Sequence, residues 1–409
     1  MPMKKNNSKK ENKFTVHKNL EVSGEIAIYY GFNPIDISEI KKIDIDNCKN
    51  LIDGDVIEDE GEEIHTLLPL HVEEKAAILR TYVEKNMISL PQPVMLYIKG
   101  QFKNSREKKI SSYPRYCDLE IVGSSRSISE AILIQTALVI LTNEGYKDVC
   151  VEINSIGDKD SLARFTKELT NYYKKNIAEI PAHCREAFKR DVFELLNCTN
   201  EKCHTLKESA PKSITYLGEA SRTHFKEVLE YLEALGIPYQ INSNLIGNKK
   251  YCSETIFEII DVSQKAKGQN TLALGVRYDG LSKKIGFKKE LGGVGISLLI
   301  KRKNKEAKKT IKIKKPTLYF IQLSFEAKCQ SLKVIEILRQ AKIPVYQSLG
   351  KDKMAAQIGV SEKLTITHTL LMGKKEAMEQ SVIIRNMEHR SQETIPIKNL
   401  VSYLRKARV

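Results

Sequence analysis

The 409-residue sequence predicts an α+β protein, with an antiparallel-sheet domain followed by a smaller α/β domain. In roughly the first 300 residues, short apolar or alternating segments follow one another and amphipathic segments are grouped apart, as in an antiparallel sheet with segregated helices. After Pro316 strand and helix patterns alternate, which is typical of a small mixed sheet. A run of positive charge at 301–315 separates the two patterns.

The first domain begins after residues 1–13, a Lys- and Asn-rich segment expected to be a disordered basic arm. Serines suited to capping introduce a predicted long amphipathic helix at 127–144, and a later helix is predicted to end at Gly236 before Pro238. Apolar or alternating runs predict the strands. In order, the segments are a helix at 25–32, strands at 34–37, 93–100, 116–122 and 149–153, helices at 160–175, within 182–211 and at 221–235, strands at 239–242, 255–261 and 271–278, and an apolar helix near Gly293.

The second domain is predicted over 316–409, because Pro316 interrupts the pattern that precedes it. Its strands and helices alternate until the last helix closes the chain. In order, they are a strand at 317–323, a helix at 325–342, a strand at 345–348, a helix at 351–359, strands at 364–372 and 382–385, and a helix at 396–406.

Composition excludes several classes of protein. With 41% hydrophobic residues the chain can bury a sizeable core. Its longest apolar stretch, at 131–141, is interrupted and falls short of the roughly 18 apolar residues that a membrane span needs, so we expect no membrane association. Residues 1–20 lack the apolar core of a secretory signal, and eight scattered cysteines indicate reduced thiols. These features predict a cytoplasmic protein.

The net charge is +15, and it is unevenly distributed. Residues 44–63 carry a net −8 and predict a solvated loop or helix face, whereas 301–315 carry a net +8. The basic run is either a solvated linker or a segment that contacts phosphates, since neutralising each phosphate releases counterions. Under the second interpretation the RNA-binding residues are Lys301, Arg302, Lys303, Lys305, Lys308, Lys309, Lys312, Lys314 and Lys315.

Several segments together resemble histidyl-tRNA synthetase, a class II aminoacyl-tRNA synthetase, over nearly the whole chain. They occur in the same order and with similar spacing as in the bacterial form of the family. The segments are LYIKGQF at 96–102, EINSIG at 152–157, CTNEKCHTLKESAP at 198–211, residues 221–242, TIFEI at 255–259 and RYDGL at 277–281.

The resemblance implies a class II catalytic domain at 14–300 with a helical insertion at about 180–235, a basic linker at 301–315 and an anticodon-binding-like domain at 316–409. It also implies a homodimer. In the family, ATP and histidine form histidyl-adenylate before transfer to tRNA, and this chemistry needs cations around the triphosphate.

Several family positions are replaced in this sequence. Ser38 stands where the first signature has Pro, and Leu70 lies in the stretch that replaces the loop gripping the amino acid. Lys103 stands in place of the second-signature Arg that grips the α-phosphate in the family, but it is a point charge without the planar fork of Arg. The catalytic Arg of the histidine-specific box is Gly247, and the ATP-binding Arg of the third signature is Leu298. We therefore expect no catalytic residues, and an adenylation site that is lost or repurposed.

Four residues are candidate remnants of the amino-acid pocket: Glu120, Tyr251, Arg277 and Tyr278. Glu120 is in register with a family acid that helps hold the substrate histidine, and it is equally interpretable as a buried strand acid. Arg277 and Tyr278 keep a family loop near the histidine pocket, or they persist as a turn and packing element.

The cysteines and histidines at 183–204 have a loose C-x₄-C-H spacing with no second clean pair, so no metal is expected. Three functions stay open. The first is a non-catalytic protein that binds tRNA or another structured RNA, and the second is an active histidine–tRNA ligase, which would need ATP and Mg²⁺. The third is a regulatory subunit of an ATP phosphoribosyltransferase; that regulator usually lacks the anticodon-binding domain predicted here.

Overall fold

The computed structural model describes residues 14–36, 40–51, 71–99, 115–198, 200–263, 271–300, 309–348, 350–364 and 366–407. Its contacts divide the chain into two compact units, one formed by Phe32–Arg302 and the other by Met1–Gly31 together with Lys303–Val409. Within the described ranges, no helix has the length and apolar character needed to cross a membrane.

The elements are numbered in chain order. The strands are β1 (Phe14–Leu20), β2 (Asn33–Ile35), β3 (Val94–Lys99), β4 (Arg115–Val122), β5 (Val149–Gly157), β6 (Tyr239–Ile241), β7 (Ser253–Asp261), β8 (Thr271–Arg277), β9 (Gly293–Ile300), β10 (Lys309–Lys314), β11 (Leu318–Gln322), β12 (Val345–Gln347), β13 (His368–Met372), β14 (Ser381–Asn386) and β15 (Gln392–Pro396). The helices are α1 (Val22–Tyr29), α2 (Lys42–Cys48), α3 (Val72–Glu84), α4 (Ile128–Asn143), α5 (Lys159–Lys175), α6 (Ala182–Arg190), α7 (Glu194–Asn197), α8 (Glu201–Glu208), α9 (Glu219–Leu235), α10 (Leu281–Lys284), α11 (Phe325–Gln340), α12 (Met354–Lys363), α13 (Lys374–Met378) and α14 (Ile397–Lys406).

The larger unit is built on one sheet, whose described strands have the order β2-β3-β4-β9-β8-β7-β5-β6. The outermost pairs, β2–β3 and β5–β6, are parallel, and the pairs between them are antiparallel. Helices lie outside the run of strands, so the α+β class predicted from the sequence is confirmed.

The longest predicted helices are present near their predicted bounds. α4 is buried along most of its length because nearly every side chain is apolar or small, and it packs on β9 and α9. α5 begins after Asp158, whose carboxylate accepts a hydrogen bond from the Ser161 backbone N–H at 2.8 Å. α9 ends at Gly236, which adopts a left-handed conformation with φ 68°.

The helix predicted near Gly293 is wrong, because these residues form strand β9. The segment bonds to β4 on one side and β8 on the other, so its backbone groups are satisfied as a central strand. Short apolar runs buried on both faces have no periodicity that separates a strand from a helix.

The smaller unit contains the pair β1–β10 and a separate sheet in the order β12-β11-β13-β14-β15. β1 and β10 are antiparallel, with His17 opposite Ile311. Because of this pairing the compact larger unit begins at Phe32, whereas we expected a domain beginning at residue 14. The last part of the expected linker is likewise a strand, β10. The functional domain boundaries remain a prediction, and residues 1–13 lie outside the described residues.

The predicted strand at 364–372 is shorter than expected, because α12 continues to Lys363 and β13 begins at His368. β15 was not predicted. It pairs with β14 at the edge of its sheet, and only Ile395 of its five residues is buried, so it lacks the apolar pattern of a half-buried strand.

Candidate functional site

A buried ionic group lies on one face of the large sheet. The Glu120 carboxylate of β4 forms a short ion pair with the Lys75 ammonium of α3, and it accepts a hydrogen bond from the Tyr278 hydroxyl at 2.6 Å. Lys75 is 1% exposed, and Glu120 and Tyr278 are fully buried. The ammonium also lies 5.8 Å from the centre of the Tyr278 ring. Three side chains from distant parts of the sequence therefore satisfy one another.

Two glycines of β9 make the space for this group. A Cβ built on Gly295, which pairs with Glu120, would lie 2.0 Å from a carboxylate oxygen of that residue. A Cβ on Gly293 would lie 2.2 Å from the Tyr278 ring. The small residues of this segment are thus required by the volume of the site side chains.

Further acids surround the group on the same face. Asp118 accepts a short hydrogen bond from the Ser297 hydroxyl, and burial raises the pKa of Asp118 to about 6. Burial and then Asp118 raise the pKa of Glu74 well above its usual range. Burial alone would lower the pKa of Lys75, but Glu120 and Asp118 outweigh it and raise this pKa. The ammonium is thus held in its charged form.

Arg277 lies on the opposite face of the sheet, where it holds α4. Its guanidinium donates to both Glu130 carboxylate oxygens, at 2.7 and 2.6 Å, and to Asp279 at 3.0 Å. Its remaining donors bond the Ser124 and Arg126 carbonyls at 2.9 and 3.2 Å. All five N–H groups are used inside the fold.

His224 of α9 completes the cluster around Glu130. Its Nε2 lies 2.8 Å from Oε1 of Glu130. Burial would raise the pKa of Glu130, but Arg277 and His224 outweigh it and lower this pKa to about 2. Burial would lower the pKa of His224, but Glu130 raises it.

The candidate site positions at Gly247 and Tyr251 lie in one turn. Gly247 has φ +63°, and a Cβ there would lie 3.1 Å from Ile256. Lys249 in the same turn forms a short ion pair with Asp191. Tyr251 is buried, and burial raises its pKa well above the usual range. The turn is fixed to the helical segment at Asp191, and its left-handed backbone at Gly247 strains any residue that carries a side chain.

Leu298 is fully buried in β9. Because side chains alternate along a strand, it shares a face with Val294, which pairs with Arg277, and it points away from the face of Glu120. Leu70, Lys103 and Ser38 lie outside the described residues, as do Lys301, Arg302, Lys303, Lys305 and Lys308.

The described part of the basic run lies in and after β10. Lys312 and Lys315 are exposed, Lys314 is half-buried, and nothing is described of the Lys309 side chain. Ile313, between Lys312 and Lys314, is buried, so alternation directs the two lysines to the other face of β10.

Three cysteines converge in the helical segment that follows α5. The Sγ atoms of Cys184, Cys198 and Cys203 all lie within 4.8 Å of one another. The two histidines considered with these cysteines are exposed, unlike the thiols. His183 is exposed, and the His204 side chain is 68% exposed beside Glu208.

The sequence grouped the cysteines at 183–204 and predicted no metal there, but its loose spacing did not show that the three thiols meet. Lys75 lies outside any family motif considered. A signal for Lys75 was present, because it shares the apolar helix face of Val72, Ala76 and Leu79.

Comparisons with known proteins agree with this architecture. A family model described as Anticodon binding domain matches residues 317–407. Histidine–tRNA ligase of Acetivibrio thermocellus is 28% identical over 353 residues, which cover 85% of this chain and 83% of that protein. Histidine–tRNA ligase of Fervidobacterium nodosum is 31% identical over 385 residues, which cover 89% of this chain and 88% of that protein.

Among solved structures, apo histidyl-tRNA synthetase of S. aureus has a TM-score of 0.50 at 22% identity, covering 93% of this chain and 92% of that chain. The fold is that of a class II aminoacyl-tRNA synthetase with a C-terminal anticodon-binding domain. Within that class, the similarity to the Fervidobacterium enzyme shows that this chain belongs to the histidyl-tRNA synthetase family.

Proposed function

We propose that this chain binds tRNA but does not form histidyl-adenylate. Its own Lys75 is ion-paired with Glu120, the acid that would otherwise hold the substrate histidine. Glu120 is in register with the family acid that helps hold histidine. Here its carboxylate is paired with an internal ammonium and a tyrosine hydroxyl, with no exposure to solvent. This ion pair is the observation that carries the proposal.

The energetics favour a closed site, in which the ion pair with Lys75 keeps the substrate histidine from Glu120. A histidine side chain that reached Glu120 would have to displace Lys75, leaving a buried ammonium without its partner. Loss of one partner from a buried ion pair costs about 3–5 kcal/mol. Substrate binding would need to offset that cost before any chemistry began.

The cations that the family uses around ATP are also replaced. Leu298 is apolar and points to the face opposite Glu120, and Gly247 has no side chain and a left-handed backbone that disfavours one. Losing one electrostatic catalyst costs roughly 10²–10³ in rate, and such losses are not additive. Neither residue offers a charge or ligand atom to ATP–Mg²⁺, so these described positions do not fit that substrate.

RNA binding is supported by charge and by the C-terminal domain. The family model at 317–407 describes an anticodon-binding domain, and the segment before it carries a net +8. Phosphate contacts from such a run are independent of sequence, and specificity comes from RNA shape and unstacked bases.

Pyrophosphate exchange tests the proposal directly. The purified full-length chain is assayed with ATP, Mg²⁺ and histidine beside an active histidyl-tRNA synthetase, and its binding to unfractionated tRNA is measured by filter retention. We expect salt-sensitive tRNA binding and no histidine-dependent exchange. Exchange well above the histidine-free reaction would overturn the closed-site proposal, and absence of salt-sensitive retention would overturn the tRNA-binding proposal.

The alternative function is an active histidine–tRNA ligase, which the names of the curated relatives favour. It predicts exchange in the same assay. A regulatory role with an ATP phosphoribosyltransferase predicts co-purification with that enzyme; the anticodon-binding domain at 317–407 argues against it. From the resemblance to the family we also propose that the chain forms a homodimer and is located in the cytoplasm.

A further inference from the structure

We propose that Cys184, Cys198 and Cys203 form a zinc site with three thiolate ligands and one solvent ligand. The three Sγ atoms already lie within 4.8 Å of one another, and those of Cys184 and Cys198 are 3.4 Å apart. Tetrahedral Zn²⁺ with Zn–S bonds of about 2.3 Å places its sulfurs about 3.8 Å apart. The thiols thus lie near the spacing that the ion requires.

The ligands come from three separate elements. Cys184 lies in α6, Cys198 directly follows α7, and Cys203 lies in α8. Each of the three helices is nine residues or shorter, and a short helix is marginal without tertiary support. A shared metal would tie the three elements together, so the site is expected to stabilise this helical segment.

The surroundings favour soft metal ligation with one open position. Cys184 and Cys203 are buried, whereas Cys198 is half-buried and therefore gives solvent access to the cluster. Three thiolates and one Zn²⁺ carry a net charge of −1. Lys207 lies close enough to offset it, since its ammonium donates to the Cys198 carbonyl at 2.7 Å.

The nearby Tyr173 hydroxyl provides a second, independent observation. It is buried and has no hydrogen-bond partner within the described part of the chain. Burial, Tyr172 and then the thiols of Cys203 and Cys198 raise the pKa of Tyr173. A buried hydroxyl without a partner costs free energy, and a water on the metal would satisfy it.

Cobalt substitution tests the site in the reduced full-length chain. We expect about one equivalent of Co²⁺ to produce thiolate-to-cobalt charge-transfer absorption and the d–d bands of a tetrahedral ion, and Zn²⁺ to displace it. Each bound thiol releases its proton to the buffer, so binding should tighten as pH rises. Zinc content of the protein as purified is measured in parallel.

Matched variants locate the ligands. Cys198→Ser should lower the charge-transfer absorption, because one of three thiolates is lost, whereas Cys150→Ser, at a half-buried cysteine outside the cluster, should keep it at full intensity. Tyr173→Phe should retain the three-thiolate absorption and weaken Co²⁺ binding about tenfold, as the loss of a partner to a metal ligand does. Melting curves show whether each variant remains folded, and Cys198→Ser is chosen because its side chain is the least buried of the three.

Absence of thiolate-to-cobalt absorption in the folded wild-type chain would overturn the proposal, as would undiminished absorption in Cys198→Ser. A Cys184–Cys198 disulfide, found by mass spectrometry without reductant in a chain that takes up no metal after reduction, would identify an oxidisable pair instead.

Discussion

The Glu120 carboxylate lies directly above Gly295, where a Cβ would be 2.0 Å from one of its oxygens. The two residues are register partners on adjacent strands, so the carboxylate and the missing side chain share one position on the sheet face. Any side chain at position 295 would therefore displace the Glu120 carboxylate.

Gly295→Ala should therefore destabilise the fold, by about 3 kcal/mol, because the added methyl group forces the buried ion pair to move. Gly359→Ala is the matched control. Gly359 lies within α12 with nothing near its Cβ position, and the change there should stabilise by about 0.5–1 kcal/mol. Urea unfolding of the two variants and the wild type measures both changes in the free energy of unfolding. Equal effects at the two positions would contradict the packing described for Gly295.

Lys75→Met should lower the free energy of unfolding by about 3–5 kcal/mol, because Glu120 would stay buried without its counter-charge. The double variant Lys75→Met/Glu120→Gln should recover much of that loss. Chemical denaturation of both variants and of Glu120→Gln gives the coupling energy. If the losses of the single variants simply add in the double variant, the two side chains are not energetically paired.

His224→Gln should be more destabilising at acid pH than at alkaline pH. Glu130 raises the pKa of His224 in the folded state, so its contribution is fully present below the unfolded value of about 6.5 and is lost as pH rises through the folded pKa. We expect a loss of about 1.5–3 kcal/mol at low pH, from a hydrogen bond between charged groups.

His368→Gln provides a control of opposite sign for that experiment. Burial lowers the pKa of His368, so its stabilising contribution is present above the unfolded pKa and is lost as pH falls. Unfolding free energies across this pH range should therefore give opposite trends for the two histidine variants. Parallel trends would contradict the assignment of His224 as the charged partner of Glu130.

Replacing Lys312 and Lys315 together by Gln should weaken tRNA binding and reduce its salt dependence by about one to two units of the log–log slope. Both side chains are exposed in or just after β10. Lys42→Gln/Lys49→Gln removes two exposed lysines, one at the start of α2 and one directly after it, and should leave binding nearly unchanged. Filter-binding titrations at several salt concentrations make the comparison, and equal losses from both pairs would mean that general charge is responsible.

Sequence reasoning worked best where one local pattern decided the outcome. The bounds of α4 and α9 follow from their apolar faces and from Gly236, and the family assignment follows from long matching segments. It was wrong at β9, where pairing on both edges decides the conformation and no local pattern reports it.

The site was only partly accessible to such reasoning. Glu120 and Tyr278 were candidate remnants of the pocket, but their contact with each other and with Lys75 depends on strand register and on the placement of α3. The cysteines at 183–204 were considered as a metal cluster and no metal was expected there, because the sequence does not show that Cys184 approaches Cys198 once α6 and α7 have packed.

The pairing of β1 with β10 also has a consequence for synthesis on the ribosome. His17 is made long before its partner Ile311, and at roughly 5–20 residues per second the first strand waits on the order of 15–60 s for the second. During that interval the whole of Phe32–Arg302 emerges and can fold as an insertion between the two halves of the smaller unit.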